Sequence, residues 1–138
     1  MNELLPIFVY GTLQQGEVRS GRWPYPAVSI ERATIRGQVR DLGPYPALVE
    51  GDGFVLGELW TISAEHLDET LRVLDEIECY GNEEVDLYIR KIVPCETASG
   101  ETKRAYTYYF ADADAIHGSP LVPANEAGVC HWHRRSGR

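Results

Sequence analysis

Residues 6–10, Pro-Ile-Phe-Val-Tyr, form a short unbroken apolar run that stops at Gly11. A run of that length, rich in β-favouring side chains, predicts a strand buried on both faces, inside a sheet. Residues 11–26 carry three glycines and two prolines without sustained periodicity, which reads as a loop holding at most one helical turn. Between 28 and 40, Ala33, Ile35, Gly37 and Val39 alternate with Thr34, Arg36, Gln38 and Arg40, the period-two pattern of a half-buried strand. Asp41-Leu42-Gly43-Pro44-Tyr45-Pro46 breaks it. A strand pair is expected over 47–49 and 54–62, because Glu50-Gly51-Asp52-Gly53 between them has the composition of a hairpin turn.

The one helical stripe follows Ser63, a good N-cap residue, with Glu65 favourably placed in the first turn. Leu67, Leu71, Leu74 and then Ile77 or Glu78 recur at spacings of three and four, and Gly81-Asn82 is the expected stop. Two further strands are predicted over 87–96, where Pro94 marks an edge or a bulge, and over 102–111, where both alternating faces are apolar or aromatic. The tail from Asp112 shows no period and is read as irregular. About six strands with one main helix, strands first and last, do not make the alternating pattern of a parallel α/β sheet. The expected class is α+β, a compact, partly closed β-barrel with a helix beside it, in one domain over residues 1–138.

The charge changes this picture locally. The chain of 138 residues has a formal net charge of −8, and the window 65–86 alone holds nine acids and the single base Arg72. The remaining residues balance, which argues against an acidic tail and against a basic nucleic-acid surface. The chain offers no apolar run of membrane-helix length and no signal-peptide pattern, so it is expected to be soluble and cytoplasmic. Cys79, Cys95 and Cys130 are odd in number and widely spaced, so they are read as free thiols. Cys130, His131 and His133 are the nearest thing to a ligand cluster, but a C-terminal segment docked through Trp132 explains them better, and no metal site is assigned.

Within the acidic window, Glu78 lies four residues after Leu74 and seven after Leu71, on the stripe of buried leucines, whereas Asp75 and Glu76 point away. Burial, the negative end of the helix dipole and acidic neighbours would all raise its pKa, as a group that exchanges protons near neutrality requires. The other reading is that Glu78 turns outward at the helix end and solvates itself; periodicity alone does not choose. A second feature is Tyr10-Gly11-Thr12-Leu13, where the first strand runs into a glycine turn. Such a turn can direct successive N–H groups into one hollow that holds a carboxylate or phosphate, although many only reverse the chain.

Together, Phe8-Val9-Tyr10-Gly11-Thr12-Leu13, the stretch from Gly37 through Asp41-Leu42-Gly43-Pro44-Tyr45-Pro46-Ala47-Leu48, Gly57-Glu58-Leu59, Leu74-Asp75-Glu76-Ile77-Glu78, Tyr88-Ile89-Arg90 and Ala105-Tyr106-Thr107-Tyr108 resemble, in order and spacing, the γ-glutamylcyclotransferase-like proteins. The likeness covers about residues 7–110 and is nearest to the small bacterial-type, γ-glutamylamine cyclotransferase-like branch. It implies a small mixed β-barrel with flanking helices and a cavity beside the first strand. It further implies that Tyr10, Gly11, Thr12 and Leu13 bind the α-carboxylate of a γ-glutamyl group through backbone N–H donors, and that Tyr88 lies in the same cavity. Glu78 is then the general acid–base through which the substrate's α-amine attacks its own γ-carbonyl to release 5-oxoproline. That intramolecular attack calls for no cofactor or metal, and the implied partner is a small γ-glutamyl molecule. Two departures stand out: Cys79 where glycine is usual, and Glu17-Val18-Arg19-Ser20 in place of a stretch that often holds asparagine.

Other polar residues read more plainly. Ser20, Ser29, Ser63, Ser99 and Ser119 lack the flanking of a nucleophile, His66 and His117 read as surface residues, Arg90 as a partner of the acidic window, and Trp23 and Trp60 as core or cavity wall. The rival to an enzyme is a non-catalytic module on the same fold that holds a small acidic metabolite or a peptide segment.

Overall fold

The structure, a computed structural model, describes residues 2–78 and 87–133. Its strands are β1 (Ile7–Val9), β2 (Ser29–Asp41), β3 (Pro46–Thr61), β4 (Tyr88–Thr97), β5 (Thr102–Phe110) and β6 (Val129–Cys130), with one α-helix, α1 (Ala64–Ile77), between β3 and β4. The hydrogen-bonded order is β1-β5-β4-β2-β3-β6, and β1 also pairs with β3. Five strands therefore close into a barrel and β6 is added to the outside of β3. The barrel is mixed: β1 runs parallel to β5 and β6 parallel to β3, while the other pairs are antiparallel.

The unbroken apolar run of β1 fits its place. Phe8 and Tyr10 pack with Ala33, Ile35, Val55 and Leu59 in one cluster, and Ile7 and Val9 pack with Leu67, Leu71 and Leu74 of α1 in the other. A strand between two apolar layers has no face left for polar residues. The leucine stripe of α1 is buried as its spacing predicts, each such side chain contributing roughly 1.5–3 kcal/mol relative to an exposed one. Gly57 shows how closely the layers meet, since a Cβ there would collide with the Val9 carbonyl oxygen and lie 2.7 Å from Cζ of Phe8.

Three expectations are corrected, while Ser63 takes its expected N-cap position. Residues 46–61 form one long strand, and Glu50-Gly51-Asp52-Gly53 does not reverse the chain. The pairing with β2 jumps from Arg36↔Phe54 to Gln38↔Val49, so these four residues bulge opposite Gly37, which sits at φ 152°. The reversal between β2 and β3 falls instead at 42–45, where the Leu42 N–H donates to the Tyr45 carbonyl at 3.1 Å. Ser63 occupies the N-cap position in an extended conformation, but its hydroxyl makes no capping hydrogen bond. The helix ends at Ile77 with Glu78 as C-cap, before Gly81-Asn82, which lie outside the described residues, as does Cys79. The tail is ordered as far as residue 133: a 3-10 turn at Ala113–Ile116 buries Ile116, and β6 leads to buried Cys130 and Trp132. Pro94 does lie along a stretch of β4 that pairs only with β5, because β2 meets β4 only at Glu96 and Thr97.

Candidate active site

The turn after β1 is held by its carbonyl groups. The Gly11 carbonyl accepts from the Gln14 backbone N–H at 3.1 Å and from Gln14 Nε2 at 3.2 Å, the Thr12 carbonyl from the Arg19 N–H at 2.8 Å, and the Leu13 carbonyl from Trp23 Nε1 at 3.0 Å. Trp23 in turn stacks on Trp60 with centroids 4.0 Å apart. In a trans peptide the carbonyl and the following N–H point in opposite directions. With the carbonyls of Gly11 and Thr12 committed to the loop, the N–H groups of Thr12 and Leu13 face the other way, and among the described residues neither has an acceptor. All four residues from Tyr10 to Leu13 are buried. Tyr10 fixes the start of the turn: its hydroxyl donates to the Tyr108 carbonyl at 2.7 Å and accepts from the Leu48 N–H at 3.2 Å. Gly11 is required here because a Cβ would sit 2.6 Å from Cγ of Pro46.

This turn forms one wall of a cavity of about 170 Å³, and Glu78 and Tyr88 lie on the same cavity. The structure thus brings together Tyr10, Gly11, Thr12, Leu13, Glu78 and Tyr88, residues far apart in the chain. Glu78 reaches the cavity as the C-cap of α1, its N–H bonded to the Leu74 carbonyl at 2.9 Å, so its side chain stays on the inward stripe instead of turning to solvent. Burial pushes its pKa up to about 7, and the Arg19 guanidinium, also on the cavity wall, holds it back from rising further. The Tyr88 hydroxyl donates to the Pro46 carbonyl at 2.8 Å and its ring meets Phe110 edge-on at 5.4 Å. Tyr10 and Tyr108 hold their phenol protons well above the usual range, mainly through burial, with Glu78 adding to the effect. The site offers a carboxyl that titrates near neutrality, free amide donors and fixed phenols on largely apolar walls, a setting for moving one proton beside an anionic group.

Three residues that matter here escape a reading by pattern. Asp75 was expected on the solvated outer face, and this is corrected: it accepts from the Tyr108 hydroxyl at 2.6 Å and from Arg90 at 2.7 Å, with only 21% of its side chain exposed. The β4–β5 hairpin packs against that side of the helix, beyond the width of the leucine stripe. Burial raises the pKa of Asp75, and the Tyr108 hydroxyl and Arg90 oppose the rise. Arg90 does pair with the acidic window, as its type and position suggest. Tyr108 lies in a stretch that carries the family resemblance and Arg19 in one that departs from it, yet neither has a periodic signal for a place at the cavity, because strand alternation gives only a face and the loop has no period. The outer acids Glu69 and Glu76 flank Arg72 at 2.7 and 2.8 Å on the exposed side of α1, while Glu83, Glu84 and Asp86 lie outside the described residues.

The histidines serve packing. His131 meets Gln14 Oε1 at 3.2 Å, and Gln14 also donates to the Trp132 carbonyl at 3.1 Å, so the tail braces the turn from behind. His66 stacks on Tyr25 at 3.8 Å, and exposed His117 meets Arg40. Among the described residues no group of His, Cys, Asp and Glu is arranged to hold a metal ion, and no helix is long and apolar enough to cross a membrane.

A family model described as gamma-glutamyl cyclotransferase, AIG2-like, matches residues 7–132, extending past 110 into the segment that braces the turn. The chain is 31% identical over 112 residues to the γ-L-glutamyl-butirosin B γ-glutamyl cyclotransferase of Niallia circulans, covering 80% of this chain and 69% of that protein. Among solved structures it resembles an AIG2-like protein of Mus musculus with a TM-score of 0.68 at 21% identity, covering 99% of this chain and all of that one. It also resembles YkqA of Bacillus subtilis with a TM-score of 0.58 at 25% identity; the match covers 78% of this chain but only 36% of YkqA.

Proposed function

The chain belongs to the gamma-glutamyl cyclotransferase, AIG2-like family, and from that premise we propose that it converts a γ-glutamyl amine or γ-glutamyl amino acid to 5-oxoproline and the free amine. The amides of Thr12 and Leu13 take the α-carboxylate, with Tyr10 and Gly11 shaping the turn and Tyr88 closing the cavity around the glutamyl chain. Glu78, as carboxylate, removes a proton from the α-ammonium. The freed nitrogen attacks the γ-carbonyl carbon of the same molecule and closes the five-membered ring. After attack the ring nitrogen still carries two protons and gives one up to solvent. When the tetrahedral intermediate collapses, the bond from that carbon to the leaving nitrogen breaks, and Glu78 returns its proton to this nitrogen, which departs as the free amine. Because nucleophile and electrophile belong to one molecule, holding the glutamyl group folded removes much of the entropic barrier.

The observation that carries this reading is a carboxyl with a pKa of about 7 on the same cavity as a turn with unpaired amides. Such a group is close to equally divided between base and acid at neutral pH, as a residue that must act as both requires. The test is incubation of the protein with a panel of γ-glutamyl compounds and measurement of 5-oxoproline. Turnover by the wild type that falls at least about 100-fold in Glu78→Gln is expected. Binding without turnover on every substrate would replace the enzyme with a binding module, and turnover unchanged in Glu78→Gln would remove that residue's role.

A further inference from the structure

The cavity has a floor and a mouth of different character. Phe8, Tyr10 and Tyr108 are buried at 0, 7 and 3% exposure, whereas Arg19, Tyr45 and Ile77 are only half-buried and Leu87 is exposed. A γ-glutamyl compound bound with its carboxylate on the amides of the buried turn fills the floor with its glutamyl half and must extend its amine half through the mouth. Among the described residues, the mouth is apolar and aromatic apart from the half-buried Glu78 carboxyl and one cation. Arg19 is the only base lining the cavity among the described residues, and residues 79–86, which connect Glu78 to Leu87 in the sequence, add the acids Glu83, Glu84 and Asp86 and no Lys or Arg. Its backbone N–H is tied to the Thr12 carbonyl, which anchors the side chain beside the turn. Among the described residues its guanidinium makes no ion pair, although four of the other arginines do or bond to a carbonyl: Arg72, Arg90 and Arg104 pair with acids and Arg40 donates to Ser119. A half-buried guanidinium that makes no ion pair among the described residues, with the Glu78 carboxyl as the other charge on the cavity, is placed to receive an anion from the ligand.

We propose that Arg19 is a specificity residue that reads a carboxylate on the leaving half, so that the preferred substrates are γ-glutamyl derivatives of α-amino acids and not those of simple or cationic amines. The proposal rests on the assignment of the cavity to a γ-glutamyl group. The glutamyl carboxylate is the other anion that could engage Arg19, but it is supplied with amides at the buried turn, whereas Arg19 stands nearer solvent. Tyr45 and Leu87, on the same cavity, suit an apolar amino-acid side chain. A cationic leaving group would face repulsion from Arg19 as well as lose the pairing, which excludes part of the class as well as favouring the rest.

The experiment compares two ligands that differ by one carboxylate: γ-glutamyl-leucine and γ-glutamyl-3-methylbutylamine. Calorimetric binding is measured on Glu78→Gln, in which ligand stays intact, with and without Arg19→Gln, and turnover is measured with wild type and Arg19→Gln. The expected result is a preference of about tenfold or more for γ-glutamyl-leucine, in line with one charge-assisted hydrogen bond, which collapses below about threefold when Arg19 is replaced. Arg19→Lys should keep part of it. The same collapse should appear in kcat/KM. Equal weakening of both ligands would mean that Arg19 holds the glutamyl carboxylate, and an unchanged ratio, or no binding of either ligand, would equally overturn the proposal. If the Arg19-dependent preference holds in binding while wild type releases no 5-oxoproline, the reading of the mouth stands and the cyclisation reading fails.

Discussion

Replacing Glu78 by Gln keeps the shape of the side chain and removes its charge, so the structure predicts opposite effects on activity and on stability. In the unfolded chain the carboxyl titrates near 4.5, and in the folded protein near 7. The folded state therefore holds the proton more tightly than the unfolded state. Below about pH 4.5 both states are protonated and the group is neutral toward folding. As pH rises from there to about 7 the unfolded state has lost its proton and the folded state has not, so stability falls, and above 7 the cost is fully present. A shift from 4.5 to about 7 corresponds to roughly 3 kcal/mol at 1.36 kcal/mol per unit. The side chain keeps some exposure at the cavity, so about 1–3 kcal/mol is the expected range. Urea unfolding of wild type and Glu78→Gln at pH 4.5, 6 and 8 isolates this term, since every other titrating group is common to both chains. The stability difference should be small at the lowest pH and grow to favour the variant by about 1–3 kcal/mol at pH 8. Parallel curves, or a variant less stable at pH 8, would show that the carboxyl is solvated in the folded protein and would remove the physical basis for its role as proton carrier.

Other outcomes follow from the same contacts. In Gly11→Ala the new methyl, 2.6 Å from Cγ of Pro46, must displace the turn, and kcat/KM should drop at least about tenfold with far-ultraviolet circular dichroism unchanged. Asp75→Asn removes the charge that faces Arg90 and Tyr108 at 2.7 and 2.6 Å, and should cost about 2–3 kcal/mol in urea unfolding, against about 1 kcal/mol for Tyr108→Phe, which loses one hydrogen bond and no charge. In wild type, kcat/KM should rise with pH through a limb near 7 as Glu78 becomes a base. Because Arg19 holds that pKa down, Arg19→Gln should move the limb to higher pH, and a shift to lower pH would contradict the electrostatic coupling.

The barrel was legible in outline because its strands differ in how many faces they bury. The continuous apolar run of β1, the alternation of β2 and the doubly covered β5 each report a local environment, and the closed sheet satisfies all three. What local pattern did not carry, apart from the shared cavity that the family resemblance implied, were features that depend on two segments at once. Glu50-Gly51-Asp52-Gly53 has the residues of a hairpin turn, yet β2 continues past it and the pairing leaves it as a bulge opposite Gly37, where a Cβ would come within 3.1 Å of the Val49 carbonyl oxygen. The tail has no period of its own, and its order comes from Trp132 and His131 meeting Gln14.

The two acids at the end of α1 show the same limit in the site. Glu78 could be nominated from sequence because it lies on a stripe whose depth is set by leucines on the same helix. Asp75 lies one residue past Leu74, and nothing along the helix says that Tyr108 and Arg90 will reach across to it. Both carboxyls are partly buried and both have raised pKa values, yet they differ in kind. Asp75 meets a hydroxyl donor and a guanidinium at hydrogen-bonding distance, so its charge is paired and its position fixed. The main opposing influence on Glu78 is the field of Arg19, a residue that makes no ion pair among the described residues. A ligand carboxylate that engages Arg19 would weaken that field, raise the basicity of Glu78 and so link recognition of the leaving half to the strength of the base. In that arrangement γ-glutamyl-leucine should show its kcat limb at higher pH than γ-glutamyl-3-methylbutylamine, and coincident limbs for the two would separate recognition from proton transfer.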